Sequence, residues 1–292
     1  MLNITQSRRD NILILCVYIN RGSGFLIVEE IRKNLKTRLI GRKIHYFTEL
    51  GSTQELGIYM AENNSEAVNG TVILAEQQNK GRGRLKNRWI SPDGGIWLSI
   101  ILKPVMPANK SPLLSFAAAL AVCETIAQQT SLESKVKWPN DILINQKKVC
   151  GILLDVATKG DRAEYAVIGI GINANVNIEK ILPYLDDNKH RALSVTSLKH
   201  ELSGKCVDRP AFLRLLLERI ELYYDRLQKE DGSTIILNKI KDRLEYNSVI
   251  IEQGNKTIEG AITGLGLDGA LLIKQNDGSS VEVSFGDTRT RE

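Results

Sequence analysis

The sequence is poor in the residues that build metal centres and disulfide frameworks. Its four cysteines (Cys16, Cys123, Cys150, Cys206) lie far apart with no CxxC pair, and its three histidines (His45, His190, His200) show no ligand spacing. Neither a zinc site nor a disulfide scaffold is expected, and a reducing, cytoplasmic setting fits this cysteine usage. Long apolar runs are missing too. The longest, "ILILCVYI" at 12–19, falls far short of the ~20 residues a membrane-spanning helix needs. Arg8 and Arg9 precede it as in an export signal, but Asp10 interrupts them and no small-x-small cleavage site follows. The run reads as a buried strand or helix, and no membrane association is expected. There is no internal repeat, no low-complexity tract and no Walker A string. "GKC" at 204–206 lacks the upstream glycines and the Ser/Thr, so a nucleotide would be held by something other than a P-loop.

A large excess of one charge is lacking as well. The net charge of +5, from 39 basic and 34 acidic residues, is too modest to imply nucleic-acid binding by itself, so local clusters matter more than the total.

What is present is a long alternation of helical and strand-like patterns. Val28 to Leu39 alternates charges and aliphatics at helical spacing, after a glycine-rich turn in "NRGSGF". "KIHYFTEL" (43–50) has strand character, and "GSTQELGIYMAEN" opens a helix in which Ser52 and Glu55 match a capping box. "TVILAEQQ" (71–78) and "GIWLSIILKP" (95–104) are strands flanking a loop over 79–94. Ser111 as N-cap and Pro112 at the first helical position begin an apolar helix suited to packing on a sheet. "DILINQKKVCGILLD" reads as two strands around a turn at 145–147, and "YAVIGIGINANV" as a further buried strand. Helices are expected over 210–229 and 234–245. Beyond Glu245, short strands with close turn signals ("QGNK", "LDG", "NDGSS") indicate a small β-barrel or sandwich.

Two strings carry chemistry. "GRGRLKNRW" (81–89) packs Arg82, Arg84, Lys86 and Arg88 between glycines. Glycines let a backbone fold close to a ligand, and arginine's planar fork binds phosphate or carboxylate oxygens in pairs. The same composition also suits a solvated basic loop or a DNA-phosphate contact, and composition alone leaves these readings open. "KWPND" (137–141) combines stiff, apolar Trp138 and Pro139 with Lys137, Asn140 and Asp141, which are expensive to bury unpaired. It reads either as a polar turn or as a rigid wall that points charges into a cleft. Lys147 and Lys148 at the hairpin read as exposed turn residues, and helix capping accounts for Ser52 and Thr53.

"GSTQ" (51–54), "AEQQNKGRGRLKNRW" (75–89), "KWPNDILINQKKVCGIL" (137–153) and "VIGIGIN" (167–173) occur in the order and spacing of one family. The chain resembles the biotin protein ligases from about residue 28 onward. The resemblance implies an α+β fold: a mixed sheet with packed helices, like that of class II aminoacyl-tRNA synthetases, over 28–244, then an SH3-like barrel over 245–292. It implies ATP as co-substrate, biotin as substrate, Mg²⁺ as helper with unknown ligands, and a biotin carboxyl carrier protein as partner. It assigns Ser52, Thr53, Gln54, Gln78, Arg82, Gly83, Arg84, Trp89, Lys148, Gly151, Gly169 and Gly171 to biotin, Gly83 closing over it with Arg82 and Arg84 and the last three glycines leaving room for it. Arg84, Arg88, Lys137, Asn140, Asp141 and Asn173 fall to the nucleotide or adenylate. Arg82, Arg84, Lys148 and Asp141 would carry the catalysis, Asp141 as base for the incoming lysine; Lys148 thereby loses its exposed-turn reading.

The chain departs from the family pattern GRGRxGRxW at Lys86 and Asn87, so either Arg88 or Lys86 must replace the missing arginine. Bifunctional members also carry an N-terminal winged helix-turn-helix of roughly 60 residues, the size at which small domains begin to fold alone. Residues 1–27 show no such pattern, although "NRGSGF" resembles a wing remnant. Sequence-specific DNA binding is therefore not expected; a homodimer is common in the family, but no interface strand stands out here and the oligomeric state stays open. The competing readings are a lipoate-type ligase and a non-enzymatic, biotin-sensing DNA regulator.

Overall fold

A computed structural model describes residues 23–63, 69–184, 195–253, 256–284, 286 and 288–289. The apolar run at 12–19 and the first part of "NRGSGF" lie outside them. Helix α1 (Ser23–Arg32) leads to strand β1 (Ile44–Leu50), helix α2 (Thr53–Asn63) and strands β2 (Thr71–Gln78) and β3 (Ile96–Leu102). Helix α3 (Leu113–Thr130) precedes β4 (Lys135–Lys137), β5 (Asp141–Ile144), β6 (Lys147–Lys159) and β7 (Arg162–Ile172). Helices α4 (Leu198–Glu201), α5 (Arg209–Leu227) and α6 (Gly232–Lys241) lead to β8 (Ser248–Gln253), β9 (Lys256–Leu265), β10 (Leu271–Gln275), β11 (Ser280–Val283) and β12 (Thr288–Arg289).

Seven strands form a mixed sheet in the order β1-β2-β3-β7-β6-β5-β4. Only the β1–β2 pair is parallel, because α2 crosses over between them, as a parallel connection requires. The last five strands form an antiparallel, SH3-like sheet, β11-β10-β9-β8-β12. The fold is the expected α+β one. Val249, Ile251, Leu271, Ile273 and Val283 of the second sheet belong to the same apolar cluster as α3 and the first sheet. Glu245, where the sequence suggests a boundary, donates its amide to Val136 O of β4.

The two faces of the large sheet are sorted by the strand period of two. Ile152 of β6 and Ile168, Ile170 and Ile172 of β7 turn toward α3, α5 and α6 and are essentially buried. The alternate residues Gly151 and Leu153 of β6, with Gly169 and Gly171 of β7, face the other way. Helix α3 with its preceding turn (Ala108–Thr130) is long and apolar enough to cross a membrane by composition, yet 72% of its most apolar 18-residue stretch is buried inside the fold.

Three element expectations are corrected. The first helix is Ser23–Arg32 rather than Val28–Leu39, and Gly24 lies within it instead of in a turn. Residues 36–40 are held outside any helix because their amides are captured by α5. Lys36 N donates to Glu218 Oε1 (3.0 Å), Arg38 N to Glu221 Oε1 (2.6 Å), and Leu39 N and Ile40 N to Glu221 Oε2 (2.8 and 2.7 Å). Pro112, not Ser111, sits at the N-cap of α3, while the Ser111 hydroxyl donates to Ala108 O. The helix expected over 234–245 ends at Lys241, since residues 243–245 pair instead with Val136.

Candidate active site

The open face of the sheet carries one cleft of about 550 Å³, within the range of small-molecule sites. Every residue assigned above to biotin, nucleotide or catalysis lines it: Ser52, Thr53, Gln54, Gln78, Arg82, Gly83, Arg84, Arg88, Trp89, Lys137, Asn140, Asp141, Lys148, Gly151, Gly169, Gly171 and Asn173. They converge because β2, β6 and β7, the start of α2, the arginine loop and the turn before β5 all end at this face.

The closed end is a hydrogen-bonded network at the start of α2. Ser52, Thr53 and Gln54 are each 3% exposed. Ser52 Oγ accepts from Glu55 N at 3.5 Å, the capping-box contact expected from the sequence. Gln78 Oε1 accepts from Thr53 N (2.8 Å) and Thr53 Oγ1 (3.1 Å), while Gln78 Nε2 donates to Ser91 Oγ (2.8 Å). Those contacts leave Gln78 one amide hydrogen for a ligand acceptor. Gln54 is committed within the protein: Nε2 donates to Asp155 Oδ2 (2.8 Å) and Val167 O (2.9 Å), and Oε1 faces Ser99 Oγ (2.9 Å). The fully buried Ser99 also reaches Thr53 Oγ1 at 2.9 Å, so a single hydroxyl joins two arms of the network.

Lys148 is the central cation. Its Nζ lies 2.7 Å from Asp141 Oδ1 and 5.1 Å from the centroid of the Trp89 ring. The Asp141 contact is an ion pair without hydrogen-bond alignment, as Oδ1 has no hydrogen-bond partner. The turn at Asn145 and Gln146, both left-handed at φ 49° and 62°, reverses the chain so that Lys148 points into the cleft. An exposed-turn reading of Lys148 is thereby overturned.

Arg84 ties the cationic loop down at two points: Nη1 donates to Asn140 Oδ1 (2.9 Å) and Nη2 to Gly286 O (3.3 Å). Asn140 is itself fixed by donating Nδ2 to Ile152 O (2.7 Å). Arg82 Nη1 faces Asp155 Oδ2 at 3.7 Å, and Arg88 Nη2 donates to Asn79 O. The exposed Arg88 lines the cleft; the Lys86 side chain lies outside the described residues. At the tip, Leu85 takes a left-handed conformation (φ 53°) with its side chain 80% exposed.

Two expectations change. Gly151 and Gly171 make room for the Trp89 ring: a Cβ there would sit 2.8 Å from Cζ3 and 2.4 Å from Nε1. Gly169 makes room for Gln54, 2.5 Å from Oε1. The three glycines thus line the cleft and at the same time seat side chains of its wall. Trp138 is 3% exposed and donates Nε1 to Gly269 O, so it anchors the "KWPND" turn to the C-terminal sheet instead of walling the cleft. Trp89 Nε1 and Asn173 Oδ1 are buried without a hydrogen-bond partner, and both residues line the cleft.

Sequence reading missed Ser91, Ser99, Asp155 and Ile181. Ser99 and Asp155 sit within ordinary strand alternation, and their signal appears only when β3, β7 and β6 are laid side by side: Ser99 pairs with Gly169, which pairs with Leu153.

Residues 46–173 match a family model described as biotin/lipoate A/B protein ligase, and residues 248–287 match one described as biotin protein ligase C terminal domain. The Bacillus subtilis bifunctional ligase/repressor BirA is 36% identical over 264 residues, covering 87% of this chain and 76% of that protein. The chain belongs to the biotin protein ligase family. The Paracoccus denitrificans biotin–[acetyl-CoA-carboxylase] ligase is 30% identical over 222 residues, 73% of this chain and 90% of that one. The Aquifex aeolicus biotin protein ligase, solved in complex with biotin and ATP, superposes with a TM-score of 0.68 at 28% identity, covering 85% of this chain and 98% of that one. The biotin protein ligase relatives therefore span both sheets of this fold.

Proposed function

We infer that this chain is an ATP-dependent biotin protein ligase that joins biotin to ATP as biotinoyl-5′-AMP and then passes the biotinoyl group to a lysine of a carboxyl carrier protein. The observation that carries the reading is the convergence of Lys148, Arg82, Arg84 and Arg88 on one cleft with a closed, hydrogen-bonding end. In the first step a carboxylate oxygen attacks the α-phosphorus of ATP and pyrophosphate leaves. Two anions must approach each other, and cations fixed beside them neutralise the repulsion. Holding the two together removes a large share of the barrier, on the order of 7 kcal/mol or more in favourable systems.

In this reading the Thr53–Gln78–Ser99 network holds the ureido end, with the spare Gln78 amide hydrogen as donor. Lys148 meets the carboxylate, and Arg84 and Arg88 meet the phosphate. In the second step the carrier lysine attacks the mixed anhydride, its proton passes to Asp141, and AMP leaves. Among the described residues no three His, Cys, Asp or Glu side chains gather into a metal-binding group. In this reading Mg²⁺ arrives with the phosphates of the nucleotide substrate, as it commonly does. The match to a biotin-specific C-terminal model favours biotin over lipoate.

Incubation with biotin, ATP, magnesium and a candidate carrier, followed by intact-mass measurement, is expected to show one added biotinoyl group on the carrier. Labelling with lipoate and not biotin would transfer the reading to the lipoate branch. Arg84→Ala is expected to speed adenylate release about tenfold or more, through loss of charge-assisted hydrogen bonds. Unchanged dissociation would remove Arg84 from phosphate binding. A cytoplasmic location and the absence of operator binding complete the proposal; a gel-shift measurement tests the second, and sedimentation gives the oligomeric state.

A further inference from the structure

Asp155 is not among the residues that the ligase chemistry calls upon, yet it stands where two parts of the site meet. It lies on β6 two residues beyond the cleft-lining Leu153. One of its oxygens, Oδ2, accepts from Gln54 Nε2 at 2.8 Å and faces Arg82 Nη1 at 3.7 Å. Gln54 belongs to the closed end of the cleft and Arg82 to the cationic loop over it. The second hydrogen of Gln54 Nε2 goes to Val167 O, directly opposite Asp155 in the β6–β7 register. The Gln54 carboxamide is therefore clamped between adjacent strands, with Oε1 turned to Ser99.

We propose that Asp155 is a positioning residue that pre-organises the pocket floor and the cationic loop together, acting through Gln54 and Arg82 without touching the reacting atoms. The proposal rests on the ligase reading above. Without a tether, Arg82 would sample many positions, and a ligand would have to order the loop as it binds. A carboxylate that keeps Arg82 at the rim of the cleft lowers that ordering demand. The Arg82 and Asp155 side chains are 38% and 33% exposed. Such a pair contributes modestly, so the effect belongs in KM and in loop mobility rather than in kcat.

Three variants separate the two contacts. Asp155→Asn keeps an acceptor for Gln54 but removes the charge facing Arg82. Asp155→Ala removes both, and Asp155→Glu restores the charge. Asp155→Asn is expected to raise KM for biotin about threefold to fivefold with kcat within about twofold, in keeping with a half-exposed ion pair. Trypsin should cut the ligand-free variant within residues 82–88 several-fold faster than the wild type and leave the ligand-saturated forms equally protected. Asp155→Ala should raise KM further, and Asp155→Glu should return the cleavage rate most of the way. Unchanged KM and cleavage in Asp155→Asn would overturn the proposal. So would tighter biotin binding, which would make Asp155 a competitor of the ligand for Arg82, and so would equal KM in the Asn and Ala variants. If the wild type forms no adenylate, the ligase reading fails instead; the ligand-free cleavage rates still test the tether.

Discussion

Lys148→Ala is expected to lower the rate of pyrophosphate release by two to three orders of magnitude while leaving the fold intact. The side chain is 29% exposed, its Nζ sits 2.7 Å from Asp141 and over Trp89, and the left-handed Asn145–Gln146 turn aims it at the interior of the cleft. A fixed donor beside developing charge in a partly water-excluded site is typically worth about 10²–10³ in rate. The other consequences are an Asp141 carboxylate without its cation and the loss of the contact over Trp89, with an effect on stability of about 1–2 kcal/mol. Single-turnover adenylation and a denaturant titration on the same sample separate the two. A rate loss matched by an equal loss of stability would reduce Lys148 to a structural residue.

Glu221→Ala is expected to give the largest stability loss on the side of the fold away from the cleft. Its carboxylate is 6% exposed and accepts three consecutive backbone amides, from Arg38, Leu39 and Ile40, that have turned away from a helical path. Truncation strands those donors, at about 1–3 kcal/mol for each one left buried and unsatisfied, and part of this relaxes by local rearrangement. The expected total is about 3–5 kcal/mol, near the loss seen when one partner of a buried charged contact is removed. Glu221→Gln, which keeps one acceptor oxygen, should lose about half as much. The folded fraction should still form adenylate at the normal rate, because the 36–40 segment lines no part of the cleft. A shift in the denaturation midpoint below about 1 kcal/mol would show that the segment holds its path without Glu221.

Much of the site is legible in the sequence because its residues lie in short, unusual strings at strand ends. The glycine-punctuated arginines and "KWPND" stand out by composition, but only the family resemblance assigns them, and Lys148 with them, to a site, and the sheet brings them to one face. What stays hidden is what looks ordinary. Ser99 and Asp155 occupy alternate positions in apolar strands, and only the cross-strand register reveals that they bridge Thr53, Gln54 and Arg82. Trp138 is half legible. "KWPND" reads as a rigid wall that points charges into a cleft, and Lys137, Asn140 and Asp141 do line it, whereas the Trp138 indole is spent on Gly269 of the C-terminal sheet. The first helix departs from its sequence pattern for a related reason. The helical spacing runs on to Leu39, but Glu218 and Glu221, some 180 positions away, claim the amides of Lys36, Arg38, Leu39 and Ile40; local periodicity carries no trace of that competition.

The cleft joins a cationic rim to a closed hydrogen-bonding floor so that a carboxylate and a triphosphate can be held side by side and condensed. The most direct test is to mix the purified protein with biotin, ATP and magnesium in the absence of any carrier, and to quantify pyrophosphate and bound biotinoyl-5′-AMP. The expected result is a burst of about one equivalent of each per active site, with the adenylate retained on the protein. Absence of pyrophosphate with both substrates present and the protein folded would contradict it.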